Sequence, residues 1–287
     1  MNLIQSLWTK PFVTTPLNRD HLEFYLMSAV FSCLQIRRYY DKLKLYTDNY
    51  GKQLLVDVIG APYTEVDTCL NDLSYYDNAL WTVGKLYAYQ RQEEAFLHID
   101  CDIYLFDKLS QKTLESPVIA LHIEEPPVYT IYTEWLKILL KDCTYIPDVI
   151  KAINLQLGIK SINAGILGGT DISFFKKYTD EAFRFVNNNL NVYHLNLKDG
   201  FNIMFEQLLL YIMCEDKSKI AYCVSNEKGL YSLRNVPNTS KLIHARSDKR
   251  SRNRNLETKM YRLMRKYYPK YHEKVMKTVN SINQIIC

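Results

Sequence analysis

"FLHIDCDIYLFDK", residues 96–108, is an apolar run that contains two acids, Asp100 and Asp102, one residue apart. Its apolar density is typical of a strand that passes through a core. In an extended strand alternate side chains share a face, so the two carboxylates would point one way and Cys101 the other. Two like charges so near each other in a partly buried site require a shared proton or a cation between them. The run therefore favours a divalent metal site; an edge strand with two solvated acids is the alternative.

Strand and helix patterns alternate around this run. Helical apolar spacing follows Asn18, a candidate cap, and a turn at "DNYG" leads into another helix. The strand patterns occupy residues 2–9, 42–48, 95–100 and 116–127, with helical patterns between them. This order predicts an open α/β sheet with crossover helices. In such sheets ligands bind beyond the carboxyl ends of strands, which is where Thr47, Asp48 and the two acids fall.

The composition is that of an ordinary globular protein, with 47% hydrophobic and 23% charged residues in 287. No apolar run approaches the roughly 18 to 20 residues of a membrane span, and the first residues do not have the pattern of a signal peptide. Seven scattered cysteines without a C-x-x-C pair argue against a disulfide framework and a cysteine zinc site. We therefore expect a cytoplasmic protein with reduced cysteines.

The charge is concentrated near the C-terminus. Residues 241–277 hold thirteen Lys or Arg against three acids, so this segment carries +10, while the whole chain carries +5. Such a basic segment is usually a solvated helix face, and in some proteins it contacts an anion, a nucleic acid or a membrane surface. The sequence predicts one α/β domain over residues 1–250, followed by a basic helical extension over residues 251–287.

Three further features carry candidate chemistry. Three of the nine glycines, at positions 165, 168 and 169, fall in a five-residue stretch inside "NAGILGGTD" (residues 163–171). This clustering predicts either room for a ligand ring or a tight turn before the next helix. Glu206 and Gln207 are polar residues inside an apolar helix and need partners, from the core or from a substrate. His244 precedes a basic stretch, and its imidazole suits Mn²⁺ or Zn²⁺ beside carboxylates; a structural histidine is the alternative.

Several enzyme classes are disfavoured. The sequence contains no Walker loop, no G-x-G-x-x-G, no G-x-S-x-G elbow and no H-E-x-x-H. This argues against P-loop nucleotide hydrolysis and serine hydrolysis. A sugar-nucleotide pyrophosphorylase would share the sheet but would open with a glycine-rich loop, and residues 1–50 contain no glycine.

Taken in order, six motifs resemble those of GT-A-fold glycosyltransferases over most of the chain: "YTDNYG", "LWTVGKLYA", "HIDCDIYLF", "INAGILGG", "FEQLLLY" and "IHARSDK". The resemblance is nearest to glycogenin and the lipopolysaccharide galactosyltransferases, which are family 8-like enzymes, and to an uncharacterised bacterial group of glycosyltransferase-like proteins. It implies a Rossmann-like, mixed and mainly parallel sheet flanked by helices. It also implies transfer of a hexose from a UDP-sugar, with retention of configuration, to an acceptor that is a glycan, a lipid-linked molecule or a peptide. Inversion is the alternative, and it would require a carboxylate such as Glu206 as general base.

The resemblance also implies roles for individual residues. The metal, Mn²⁺ or Mg²⁺, would be held by Asp100, Asp102 and His244. The catalytic residues that the resemblance implies are Glu206, Gln207 and Lys249. Glu206 and Gln207 resemble the family's acidic-Gln pair, with Glu where Asp is more frequent, and Lys249 resembles the lysine that holds the leaving phosphate. The usual glycine between that histidine and lysine is absent. The donor nucleotide and its sugar would be contacted by Thr47, Asp48, Lys85, Asp100, Cys101, Asp102, Asn163, Ala164, Gly165 and Lys249.

A different reading remains open beside the enzyme. A catalytically inactive nucleotide-sugar-binding module could use the basic tail to dock on a membrane or a nucleic acid; the intact pair of acids and His244 argue against such decay. In the enzyme, the tail would either place the protein at an anionic membrane surface on the cytoplasmic side or attract an acidic acceptor. Nucleic acid is not the expected partner.

Overall fold

A computed structural model describes residues 1–13, 19–127, 130–191, 198–224, 242–245 and 254–286. The chain forms two compact units. Unit A comprises residues 2–74, 99–109 and 227–287, and unit B comprises residues 75–98 and 110–226 with Met1. Among the described residues, no helix has both the length and the apolar character needed to cross a bilayer.

Unit A is built on three parallel strands. Strand β1 (Asn2–Leu7) pairs with β2 (Lys44–Thr47), which pairs with β3 (Glu65–Asp67). Parallel neighbours need a crossover connection, and helix α2 (Arg19–Arg37) supplies it between β1 and β2. The described residues before residue 75 also form α1 (Lys10–Val13), α3 (Asn49–Lys52), a π-helical segment (Gln53–Val58) and a 3₁₀ turn (Cys69–Leu73).

A second, antiparallel pair of strands completes unit A. Strand β5 (Ile103–Leu105) pairs with β9 (Leu242–His244), and all six residues are buried. The basic C-terminal segment is helical, as predicted, where it is described: α11 (Arg254–Tyr267) and α12 (Pro269–Ile286) pack against each other and against α2. Phe31 of α2 stacks edge-on against Tyr104 of β5, with ring centroids 4.8 Å apart.

The described residues of unit B form four strands in the order β4-β7-β6-β8. They are β4 (Phe96–Ile99), β6 (Val118–Glu124), β7 (Ser161–Gly169) and β8 (Ile220–Tyr222). Strand β7 runs antiparallel to β6, whereas β8 is parallel to β6, and all nine residues of β7 are buried. The helical elements of unit B are α4 (Val83–Gln90), α5 (Gln111–Leu114), α6 (Ile131–Asp142), α7 (Asp148–Lys151), α8 (Ile172–Asn187), α9 (Lys198–Ile203), a π-helical segment (Met204–Leu208), α10 (Leu209–Met213), and 3₁₀ turns at Leu155–Leu157 and Lys217–Lys219.

Two of the clustered glycines are required by the sheet itself. A Cβ atom on Gly168 would lie 2.1 Å from the carbonyl oxygen of Phe96, and one on Gly169 would lie 2.0 Å from that of Pro117. Gly169 also has a positive φ of 149°, a backbone conformation that residues other than glycine rarely adopt. Asp171 then begins α8 by accepting a hydrogen bond from the backbone N–H of Phe174 at 3.0 Å. At these two glycines the turn interpretation of the motif explains the residue type.

The predicted fold class is confirmed: a mixed, mainly parallel sheet of seven strands flanked by helices. The strands begin and end within a few residues of their predicted limits. Short elements such as β3 and β8 were not predicted. The domain boundary after residue 250 stays a prediction, and the candidate cap Asn18 lies outside the described residues.

Candidate functional site

The two acids lie in a turn between β4 and β5, not on a strand. β4 ends at Ile99, and the backbone N–H of Ile103 donates to the carbonyl of Asp100 at 3.0 Å, which closes a four-residue turn. The prediction that alternation along one extended strand points both carboxylates to a common face was therefore wrong. The turn nevertheless brings the two carboxylates together, because its hydrogen bond holds the backbone of residues 100 and 103 close to each other.

His244 joins this turn through the pairing of β5 with β9. In that register His244 lies opposite Ile103, and the N–H of Ala245 donates to the backbone carbonyl of Asp102 at 2.8 Å. The ring Nε2 atom of His244 lies 3.5 Å from Oδ1 of Asp102. One ligand atom from each of Asp100, Asp102 and His244 lies within 4.8 Å of the other two. The three predicted metal ligands are thus assembled in unit A.

The chemistry of this set fits a divalent cation. The His244 side chain is only 9% exposed and that of Asp102 only 14%, and Asp100 is half-buried, so both carboxylates are partly removed from water. Carboxylates in such surroundings are stabilised by a positive charge between them. Two carboxylate oxygens and one imidazole nitrogen suit a borderline ion such as Mn²⁺; Mg²⁺ usually takes oxygen ligands only.

Three side chains hold the backbone of this turn. Ser32 of α2 donates to the carbonyl of Ile103 at 2.5 Å, and Ser28, one helical turn earlier, donates to that of Cys101 at 2.9 Å. Gln5 of β1 approaches the carbonyl of Asp100 at 3.5 Å and donates to Ser32 Oγ at 2.9 Å. Sequence reasoning missed these residues. The available signal was two serines four positions apart, hence on one face of a buried helix, where hydroxyls need partners.

Unit B contains a buried ion pair. The ammonium of Lys85 lies 2.5 Å from Oε1 of Glu206 and donates to the carbonyl of Ala164 at 3.2 Å. Glu206 has no exposed side-chain surface and that of Lys85 is 10% exposed. Burial, and next the charge of Lys85, hold the pKa of nearby His98 well below its usual range. The structure thus brings three predicted site residues, Lys85, Ala164 and Glu206, together.

Gln207 differs from its neighbour Glu206. Both lie in the π-helical segment Met204–Leu208, a conformation found often at functional sites. Gln207 is half-buried, and Oε1 of its amide lies 2.6 Å from the Tyr132 hydroxyl. On β7, Asn163 donates to Glu124 Oε1 at 2.9 Å and accepts from the N–H of Gly165 at 3.0 Å. Glu124 and Tyr132 were not predicted as site residues.

Comparison with known proteins gives a family. Residues 1–278 match a protein family described as a family of unknown function, DUF6734. The chain belongs to this family. No curated protein matches its sequence.

Three solved structures are similar to this DUF6734 chain at low identity. They are galactosyltransferase LgtC in complex with donor and acceptor sugar analogues (TM-score 0.47, 10% identity, covering 91% of this chain and 95% of that chain), glycosyltransferase GlyE of Streptococcus pneumoniae (0.44, 10%, 98% and 63%), and mouse xyloside xylosyltransferase 1 in its apo form (0.42, 11%, 77% and 84%). Likenesses at this level assign no activity to the DUF6734 chain.

Two residues of the DUF6734 chain that were predicted to contact the donor, Thr47 and Asp48, make hydrogen bonds within unit A. Asp48 begins α3: its carboxylate accepts from the N–H and hydroxyl of Thr9 and from the N–H of Gly51, at 2.8 to 2.9 Å. Thr47 donates to the carbonyl of Leu7 at 2.6 Å. Both side chains are almost fully buried. They bind the carboxyl ends of β1 and β2 to α3, and their contact with a nucleotide stays a prediction.

Cys101 and Lys249 complete the predicted set. Cys101 is half-buried between the two acids, and its thiol approaches the carbonyl of Ser6 at 3.6 Å. Lys249 lies outside the described residues. Its role, and membrane contact through the basic tail, stay predictions.

Removing the hydroxyls of Ser28 and Ser32, which bind the backbone of the turn, should lower the affinity for a metal ion while the chain still folds. We expect the double variant Ser28→Ala, Ser32→Ala to bind Mn²⁺ about 10-fold less tightly, the lower end of the usual effect of residues that orient metal ligands. Titration followed by electron paramagnetic resonance measures the free ion. Ser281→Ala, which removes an exposed hydroxyl bonded within α12, is the matched control; the same loss in both variants would contradict this prediction.

Proposed function

We propose that the chain is a metal-dependent GT-A-type glycosyltransferase that moves a hexose from a UDP-sugar to an acceptor hydroxyl. The observation that carries the proposal is the Asp100, Asp102 and His244 cluster, whose ligand atoms lie within 4.8 Å of one another in the turn after β4. The carboxyl end of a strand is where open α/β sheets bind ligands. The motifs from "YTDNYG" to "IHARSDK" give the cluster its proposed substrate.

The cluster would hold Mn²⁺ or Mg²⁺. A bound divalent cation supplies stabilisation of the negative charge that develops on a departing diphosphate. The protein contributes the fixed positions of the ligands: the turn hydrogen bond orients Asp100, and the bond from Ala245 to the carbonyl of Asp102 holds β9 and hence His244. Lys249 is proposed to hold the leaving phosphate.

In unit B we propose that Gln207 and Asn163, which retain exposed surface, contact the donor sugar, with the buried Ala164, Gly165, Lys85 and Glu206 in support. Gln207 has exposed surface and Glu206 has none, so the amide is the member of the pair suited to touch a ligand. Glu206 is also neutralised by an ammonium at 2.5 Å. It is therefore poorly suited to act as a general base, which requires a free carboxylate about 3 Å from the acceptor hydroxyl.

This property of Glu206 supports retention of configuration. In a retaining transfer of this kind, the bond between the sugar C1 and the phosphate oxygen breaks as the acceptor oxygen bonds to C1. The acceptor proton passes to an oxygen of the departing diphosphate. No protein carboxylate is needed to remove that proton.

The proposal is tested by nucleotide release. Wild-type protein incubated with a panel of UDP- and GDP-sugars should release UDP from at least one UDP-hexose in the presence of Mn²⁺. Chelation by EDTA should abolish the release, and added Mn²⁺ should restore it, because the cluster cannot hold the diphosphate without a cation. Proton nuclear magnetic resonance of the released sugar or product measures the anomeric configuration.

Two results would contradict the proposal. One is the absence of both Mn²⁺-dependent UDP binding by calorimetry and nucleotide release from every donor. The other is release that is unchanged by EDTA.

A further inference from the structure

A buried hydrogen-bonded cluster in unit B joins the end of β6 to the segment that contains Gln207. Glu124 is the last residue of β6, Tyr132 lies in the first turn of α6, and Gln207 lies in the π-helical segment after α9. The Tyr132 hydroxyl donates its one hydrogen to Oε2 of Glu124, and its oxygen lies 2.6 Å from the side-chain amide of Gln207, whose NH2 group can donate to that oxygen. Oε1 of Glu124 accepts from the amide of Asn163 at 2.9 Å.

The Tyr132 hydroxyl is placed to restrict the side chains of Glu124 and Gln207 to one orientation. Tyr132 is 1% exposed and Glu124 is 5% exposed. Burial, and next the charge of Glu124, raise the pKa of Tyr132 well above its usual range, so the phenol keeps its hydrogen and remains a donor. A glutamine side chain has three rotatable bonds, and its terminal torsion is broad. The contact with a rigid, buried phenol restricts that freedom for Gln207.

We propose that Tyr132 is a positioning residue that fixes the side-chain amide of Gln207 for contact with the donor sugar, while Glu124 anchors the phenol. The inference rests on the proposed function for the role of Gln207. Its physical basis is the steep dependence of transfer rates on placement: a misplacement of about 1 Å costs about 100-fold. Tyr132 does not itself touch the reacting atoms in this scheme.

Tyr132→Phe is the test, since it removes the hydroxyl and keeps the ring. In protein labelled with ¹⁵N in the glutamine side chains, the Gln207 amide signals are identified by their loss in Gln207→Ala. We expect those signals to move toward the shift of a free glutamine in Tyr132→Phe. We also expect kcat for UDP release to fall about 10- to 100-fold, with the donor KM and Mn²⁺-dependent UDP affinity within about twofold of wild type.

The control is Tyr145→Phe, because Tyr145 also donates to a glutamate, Glu181 at 2.5 Å, in the same unit. It should leave the Gln207 signals and kcat unchanged. A double-mutant cycle adds a second criterion: in the Gln207→Ala background, Tyr132→Phe should cause no further fall in kcat, since its effect passes through the missing amide. If Tyr132→Phe does not fold, Glu124→Gln, which weakens the anchor of the phenol, should give smaller changes in the same directions.

Unchanged Gln207 signals in Tyr132→Phe would overturn the inference, and so would an equal fall of kcat in both backgrounds. These outcomes are distinct from failure of the proposed function. If wild-type protein releases no nucleotide from any donor, the proposed glycosyltransferase activity is contradicted. The amide signals of Gln207 then decide by themselves whether Tyr132 fixes its side chain.

Discussion

Asp102→Asn is expected to abolish Mn²⁺-dependent UDP binding and to leave the fold intact. The substitution keeps the shape of the side chain but removes one of two negative charges beside His244. Metal affinity should fall at least about 100-fold, because loss of a ligand exceeds the 10- to 100-fold effect of losing a residue that supports one. The backbone carbonyl of Asp102, which accepts from Ala245 at 2.8 Å, is unaffected, so β5 and β9 should stay paired. Calorimetry of UDP binding with and without Mn²⁺ measures the effect.

Asp107→Asn is the matched control for this variant. Asp107 lies in the same unit, five residues farther along the chain, and is exposed. Its substitution removes the same charge without removing a metal ligand, and should leave UDP affinity within about twofold of wild type if long-range electrostatics are screened. Equal UDP affinity in wild type and Asp102→Asn would show that the acids do not hold the nucleotide through a metal.

The sequence predicted the members of the candidate metal cluster better than their conformation. Two acids in an apolar run favour a cation or a shared proton whether they lie on a strand or in a turn, because the preference comes from charge and burial. Their conformation depends on the hydrogen bond from Ile103 to Asp100, for which the run has no local signature. His244 is distant along the chain and reaches the turn through the pairing of β5 with β9; the resemblance supplied that link, which apolar periodicity could not.

The supporting residues were beyond prediction for a related reason. Ser28 and Ser32 act through backbone carbonyls some 70 positions away, and a serine in a helix gives no indication of which carbonyl it will meet. Glu124 lies inside the strand predicted over residues 116–127, and Tyr132 is one of 23 tyrosines. Their connection to Gln207 exists only once β6, α6 and the π-helical segment are packed together.

The glycine cluster shows how one motif serves two purposes. Gly168 and Gly169 are explained by close backbone approach to Phe96 and Pro117, which concerns packing. Gly165 lies earlier on β7, where its N–H meets the side chain of Asn163. Only that first part of the motif remains a candidate for contact with a ligand, and composition alone does not separate the two parts.

Lys85→Met is expected to cause the largest loss of stability. It removes the ammonium 2.5 Å from the carboxylate of Glu206, which has no exposed surface. Breaking a buried ion pair from one side typically costs about 3 to 5 kcal/mol, a large share of the roughly 5 to 15 kcal/mol that stabilises a typical domain. Replacing both partners, in Lys85→Met with Glu206→Met, should recover most of this loss, because no buried charge is then left without its counter-ion. Urea unfolding followed by circular dichroism measures the free energies.

The exposed pair of Lys176 and Glu93 separates burial from ion pairing as the cause. Its atoms are also 2.5 Å apart, in the same unit, but its side chains are 40% and 78% exposed. Lys176→Met should therefore cost no more than about 1 kcal/mol, since water screens the pair and solvates the remaining carboxylate. Similar losses in Lys85→Met and Lys176→Met, or no recovery in the double variant, would show that the Lys85 pair does not anchor unit B. With the predicted difference, Glu206 is established as a buried anchor, and the half-buried Gln207 beside it is the residue to examine for contact with a substrate.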